Sequence, residues 1–143
     1  MRPVAERVGV VGAGVMGAEI ALVAAQSGRE VVVRDVDRAA IDRGLAHARA
    51  VGERQVAKGR ADAAGLAAAL ARITPAESDD ALAGCDIAIE VVTESMEVKR
   101  AVFARLDAVL PAAALIASNT SGLSITALAA VTGRPERVLG LHF

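Results

Sequence analysis

Three glycines, one acid and one histidine lead the residues of this chain whose types and spacing could do chemistry. Gly12, Gly14 and Gly17 fit the spacing G-x-G-x-x-G inside a stretch, Arg7 to Gly17, that runs from an apolar strand pattern through a loop into a helix. Each glycine has its own task there. Gly12 permits the tight turn after the strand, Gly14 leaves room for a diphosphate to approach the backbone, and Gly17 allows close packing of helix on strand. Together with Ala13, Val15 and Met16 they would present free N–H groups and the positive end of a helix dipole to phosphates. A second apolar run, Val31 to Arg34, ends in Asp35, 18 residues after Gly17. A carboxylate at that place accepts hydrogen bonds from ribose hydroxyls and repels a 2′-phosphate, which favours NAD over NADP.

Oxidising a secondary alcohol needs a base for the hydroxyl proton, and histidine, with an ordinary pKa of about 6.5, suits that exchange near neutrality. His142 follows the last apolar strand pattern, where a base could meet a substrate; a polar residue at a domain junction is the competing account. Ser121 either donates a hydrogen bond to a substrate oxygen or caps the helix that begins near Ser124. Thr93, Glu94, Asn119, Thr120 and Ser121 fall at the carboxyl ends of strands, where open parallel sheets hold ligands. Glu94 and Lys99 lie at a helix start, and the plainer account has Glu94 facing the helix dipole and Lys99 pointing to water. His47 falls within a helix pattern and is expected to be solvated or partly packed.

Residues of these types work only if regular elements carry them. Strands are expected at about 7–11, 31–35, 72–74, 86–92, 115–119 and 138–141, with Pro75 ending the third. Helices are expected at about 15–27, 38–57, 62–71, 79–84, 96–110 and 125–131. Val98, Val102, Phe103 and Leu106 form the apolar stripe of the helix at 96–110. The alternation predicts an α/β, doubly wound, mostly parallel sheet of the Rossmann kind, with a helical hairpin inserted after strand 2.

The chain has 143 residues, 54% hydrophobic, and a formal net charge of −1. That length suits one domain, residues 1–143, and the balanced charge steers it toward neither nucleic acid nor an anionic membrane. Aromatic residues are 1% of the total, too few for a base-stacking surface. Met1 to Glu6 lack the apolar core of a secretion signal, and no apolar run is long enough to span a membrane, so a cytoplasmic location is expected. The single cysteine, Cys85, reads as a small buried hydrophobe. No acidic, histidine and cysteine cluster has metal-ligand spacing, and no serine follows G-x-S-x-G. Because the sequence stops at His142-Phe143 just after a strand pattern, a larger protein is expected to continue beyond it.

The blocks Val10 to Gly17, Glu90-Val91-Val92-Thr93-Glu94 with Lys99, Ala117 to Ser121, and Gly140-Leu141-His142-Phe143 give the whole chain a resemblance to the NAD-binding domain of L-3-hydroxyacyl-CoA dehydrogenases, enzymes of β-oxidation and fatty acid metabolism. The resemblance implies that His142 is the catalytic base and that Ser121 bonds the reacting oxygen close to the cofactor. It implies that Asp35 binds the adenosine ribose and that Glu94, Lys99 and Asn119 line the NAD site. The hairpin would contact the CoA portion of a 3-hydroxyacyl-CoA substrate; for Lys58 and Arg60 a solvated charge competes with a CoA phosphate contact. A C-terminal domain, absent from this chain, would supply the acidic partner of the histidine and the homodimer interface, so the chain by itself is expected to bind NAD with little turnover. A gulonate 3-dehydrogenase and a non-catalytic NAD-binding module are the alternatives.

Overall fold

The computed structural model describes residues 5–143, so the reading of Met1 to Glu6 as lacking a secretion signal falls mostly outside the described residues. Among the described residues six strands, β1 (Arg7–Val11), β2 (Glu30–Arg34), β3 (Ile73–Ala76), β4 (Ile87–Glu90), β5 (Leu115–Ser118) and β6 (Val138–Gly140), form one sheet in the order β3-β2-β1-β4-β5-β6. Every pairing is parallel, with Val10 beside Val33 on one flank and Ile89 on the other. Because β1 is central and the chain winds first toward β3 and then back toward β6, the strand order reverses between β1 and β4. Ligands bind in the crevice such a reversal opens.

The helices α1 (Val15–Gln26), α2 (Arg38–Ala57) and α3 (Ala63–Ala71) cover one face, where Val8, Val10, Val31, Val33, Ile20, Ala21 and Ile41 form the core. The helices α4 (Met96–Val109) and α5 (Ile125–Ala129) cover the other over Val32, Cys85, Phe103, Ile116 and Leu128. Cys85 is fully buried, and desolvation pushes its thiol pKa up. The expected hairpin is α2 and α3, joined tightly enough that a side chain at Gly52 would collide with Leu66. Residue Gly28, at φ +92°, ends α1, with the Arg29 N–H returning to the Ala24 carbonyl.

Four expectations need correction. Pro75 does not end β3 but sits within it, paired with Val33. The ladder bonds run from Val31 N to Arg72 O and from Asp35 N to Ala76 O, so the even-numbered residues face β2, and the missing N–H of Pro75 lies on the free edge. Val98 is not part of the inner stripe of α4: it is 39% exposed, and Lys99 takes the inner face, at 2%. Positions 99, 102, 103 and 106 share one helical face, so a charge was able to enter the stripe only because it finds a buried partner. The segment 79–84 forms a single 3-10 turn over Asp79–Leu82, and a second such turn, with proline at its start, forms at Pro135–Arg137 where none is expected above. Finally, Ser121 caps no helix, since Ser124 itself accepts from the Ala127 N–H to start α5.

The far end of α4 is closed by a side chain from a distant loop. The Arg134 guanidinium donates to the carbonyls of Asp107, Leu110, Pro111 and Ala114 and pairs with the Asp107 carboxylate at 2.8 Å. It thereby takes up two carbonyls at the helix end, those of Asp107 and Leu110, and ties the following turn at Pro111 and Ala114 to them.

Candidate dinucleotide site

At the exit of β1 the backbone turns through Gly12 at φ +114°, and a side chain there would overlap the Val91 carbonyl beyond β4. A side chain at Gly17 would overlap the Gly12 carbonyl, so α1 rests directly on its own loop. Gly14 is different: a Cβ there meets nothing within 4 Å among the described residues. Its task is toward open space, as a diphosphate cradle requires. Moreover, α2 to α5 all have a side-chain cap, from Asp37, Asp62, Ser95 and Ser124, whereas α1 begins at Gly14 with none. Val15 and Met16 flank this helix start, 63% and 40% exposed. Among the described residues the first N–H groups of α1 thus have no side-chain cap, the kind of helix start that suits an anion.

Asp35, just past β2, accepts the Ala13 N–H at 2.9 Å through one oxygen and the Val36 N–H at 2.7 Å through the other. The carboxylate keeps further lone pairs while it braces the glycine loop. It lines a cavity of about 390 Å³ with Ala13, Gly14, Arg43, Gly44 and His47. Gly44 belongs to this site although no sequence motif marks it: any side chain there would strike the Ala13 carbonyl, so α2 presses on the loop. His47 is partly packed, its Nε2 2.9 Å from Glu19 Oε1 on α1.

At the ends of β4 and β5 a buried cluster lies beneath the loops. Glu90 Oε2 accepts from the Lys99 ammonium at 2.5 Å and from the Val92 N–H at 2.7 Å, while Oε1 accepts from Ser118 Oγ at 2.6 Å. Lys99, whose alternative reading pointed it to water, is therefore interior, with Nζ also donating to the Val92 carbonyl at 3.2 Å and lying 3.5 Å from Glu94. Glu94 itself is half exposed and accepts from Thr120 Oγ1 at 2.7 Å. That hydrogen bond, helped by the Lys99 charge, holds the Glu94 carboxyl below its ordinary pKa. In the sequence Glu90 and Ser118 stand out only as members of their strand-end blocks, and nothing local gives either a role of its own.

Asn119 Oδ1 accepts the Phe143 N–H at 3.2 Å, tying the turn after β5 to the segment after β6. Ser121 and His142 are both exposed, one on each of these neighbouring segments. The strand order therefore carries the glycine loop, Glu94, Ser121 and His142 on successive strands of one carboxyl edge. Asp35 joins them from β2. Lys58 and Arg60 are exposed at the turn of the hairpin. Among the described residues no group of histidine, cysteine and acidic side chains could hold a metal ion, and no helix is long and apolar enough to cross a membrane.

Residues 7–143 match the family model described as 3-hydroxyacyl-CoA dehydrogenase, NAD binding domain. The chain is 48% identical over its full length to a 3-hydroxybutyryl-CoA dehydrogenase of Bradyrhizobium diazoefficiens, covering 49% of that protein. It is 42% identical over 138 residues to a 3-hydroxyadipyl-CoA dehydrogenase of Escherichia coli, covering 96% of this chain and 29% of that one. Among solved structures, the (S)-3-hydroxybutyryl-CoA dehydrogenase of Ralstonia eutropha superimposes with a TM-score of 0.94 at 42% identity, covering 97% of this chain and 49% of the other. The chain thus spans about half the length of the first of these relatives. Its glycine loop, its parallel sheet and these likenesses agree: the chain belongs to the 3-hydroxyacyl-CoA dehydrogenase family, of which it is the NAD-binding domain.

Proposed function

We propose that this chain is the cofactor-binding part of an enzyme that interconverts (S)-3-hydroxyacyl-CoA and 3-oxoacyl-CoA. The observation that supports it best is the alignment of the glycine loop, Glu94, Ser121 and His142 along adjacent strands β1, β4, β5 and β6. NAD, when bound, supplies the chemistry of accepting hydride from carbon 3 of the substrate. Everything else falls to the protein. Gly12 to Gly17 hold the diphosphate, Asp35 holds the adenosine ribose, and Glu94 and Asn119 flank the nicotinamide end, with Lys99 acting from beneath Glu94. Ser121 donates a hydrogen bond to the 3-oxygen, and the His142 imidazole takes the hydroxyl proton during oxidation and returns it during reduction.

In this reading the α2–α3 hairpin meets the CoA portion, and residues 1–143 act as one NAD-binding domain. A substrate-binding and dimerisation domain lies elsewhere in the complete protein. The relatives named for 3-hydroxybutyryl-CoA support a short acyl chain as the first substrate to try.

The test is the complete protein assayed with NADH on acetoacetyl-CoA and, in the opposite direction, with NAD on L-gulonate. Turnover of the thioester alone is expected, and His142→Ala should lower kcat at least about 100-fold while NADH affinity stays within twofold. Intact acyl-CoA turnover in that variant would remove His142 from the mechanism. Turnover of L-gulonate in place of the thioester would move the substrate assignment to the gulonate branch.

A further inference from the structure

Glu90 ends β4 with none of its surface exposed, yet both its oxygens are engaged by groups from different elements. Oε1 takes the hydroxyl of Ser118 at the end of β5, and Oε2 takes the ammonium of Lys99 from the first turn of α4 together with the Val92 N–H of the loop between. From these partners the contacts run outward. Ser118 Oγ accepts the Thr120 N–H at 3.2 Å, Lys99 lies 3.5 Å from Glu94, and Glu94 and Thr120 close the circuit at 2.7 Å. Desolvating a carboxylate and an ammonium costs so much that an apolar pair of similar volume often stabilises a fold at least as well. Apart from Arg34 and Arg134, the other buried side chains among the described residues are apolar. A network kept at such a cost, with its outer members on the two loops beside the nicotinamide end, points to placement of those loops.

We propose that Glu90 is a positioning residue for the nicotinamide end of the site: it holds Lys99 and Ser118 so that Glu94 and the Asn119–Ser121 turn keep one spacing before the cofactor arrives. The proposal rests on the NAD reading above. Glu90 touches no ligand itself. It acts through Lys99 and Ser118, and the adenosine half of the site, braced by Asp35 on the far side of β1, does not depend on it.

The experiment compares equilibrium binding of NADH and of ADP-ribose, which lacks the nicotinamide, to the intact protein and to Glu90→Gln. The amide keeps the shape but removes the charge that Lys99 requires. NADH affinity should fall about tenfold, the effect of losing one charge-assisted hydrogen bond, with a matching loss of bound-cofactor fluorescence. ADP-ribose affinity should stay within twofold. Equal losses for both ligands, or no loss for either, overturn the proposal. If Glu90→Gln does not fold, the double variant Glu90→Leu with Lys99→Met removes both charges together, and the same split is expected. If that also fails to fold, Ser118→Ala, which cuts only the tie to β5, should weaken NADH about threefold with ADP-ribose unchanged, and an unchanged NADH affinity overturns the proposal. Failure of the unaltered protein to bind either ligand would instead strike the NAD reading itself, and the proposal with it.

Discussion

Asp35 accepts the backbone N–H of Ala13 at 2.9 Å, so the acid assigned to the ribose is also a strut of the glycine loop. The two roles separate by substitution. Asp35→Ala should lose about 1–3 kcal/mol of stability in urea unfolding and bind NADH at least about tenfold more weakly. Asp35→Asn retains one amide oxygen as acceptor, so its stability should fall less, while loss of the negative charge should narrow the preference for NADH over NADPH in fluorescence titrations. An alanine variant as stable as the parent would show that the strut carries no weight.

Two of the motif glycines should fail in different ways. A methyl group at Gly17 collides with the Gly12 carbonyl, so Gly17→Ala should destabilise the fold by about 1–3 kcal/mol. Gly14 faces open space at φ −71°, and Gly14→Ala should unfold within about 1 kcal/mol of the parent. It should nevertheless bind NADH at least about tenfold more weakly, because the methyl group stands where the diphosphate comes closest. Unimpaired NADH binding by Gly14→Ala would argue against the loop as cradle.

Arg134 and Asp107 set a pH dependence of stability. The Gly133 N–H, and after it the Arg134 guanidinium, hold the Asp107 carboxyl below its ordinary pKa. A depressed carboxylate stabilises the fold fully above its unfolded value, and the contribution is lost as pH falls through the lower folded value. Arg134→Met, which also strands the carbonyls at the end of α4, should cost about 3 kcal/mol near neutrality. Chemical unfolding from neutral to acid pH should show the difference between the two proteins shrinking as Asp107 becomes protonated. A constant difference would mean that the carbonyl contacts alone matter.

Thr120 is the main cause of the lowered pKa of Glu94. Thr120→Val removes the hydroxyl and should let Glu94 titrate nearer the ordinary carboxylate range, followed by carboxyl carbon NMR. Lys99, the lesser cause, should keep part of the depression. An unmoved titration would show that the hydroxyl is not a partner in solution.

Much of this molecule could be read from local pattern. The glycine spacing, the β-branched runs and the acid after β2 sufficed for the parallel sheet, the hairpin and the Rossmann type of fold, because strand burial and helix starts leave marks within a few residues of themselves. Ser121 and His142 were singled out by their places at strand ends and by family likeness. What sequence could not decide was everything that depends on a partner distant in the chain. Lys99 sits on the inner stripe of α4 because Glu90 meets it there, and nothing around either residue announces the other. Pro75 stays in β3 only because that strand lies at the sheet edge, a fact of strand order. Gly44 must be glycine because α2 crosses the Ala13 carbonyl. Arg134 looks like a surface charge until the end of α4 is found against it. Periodicity records which face of an element is apolar; only the folded chain brings a buried charge to its counter-charge and a helix end to its cap.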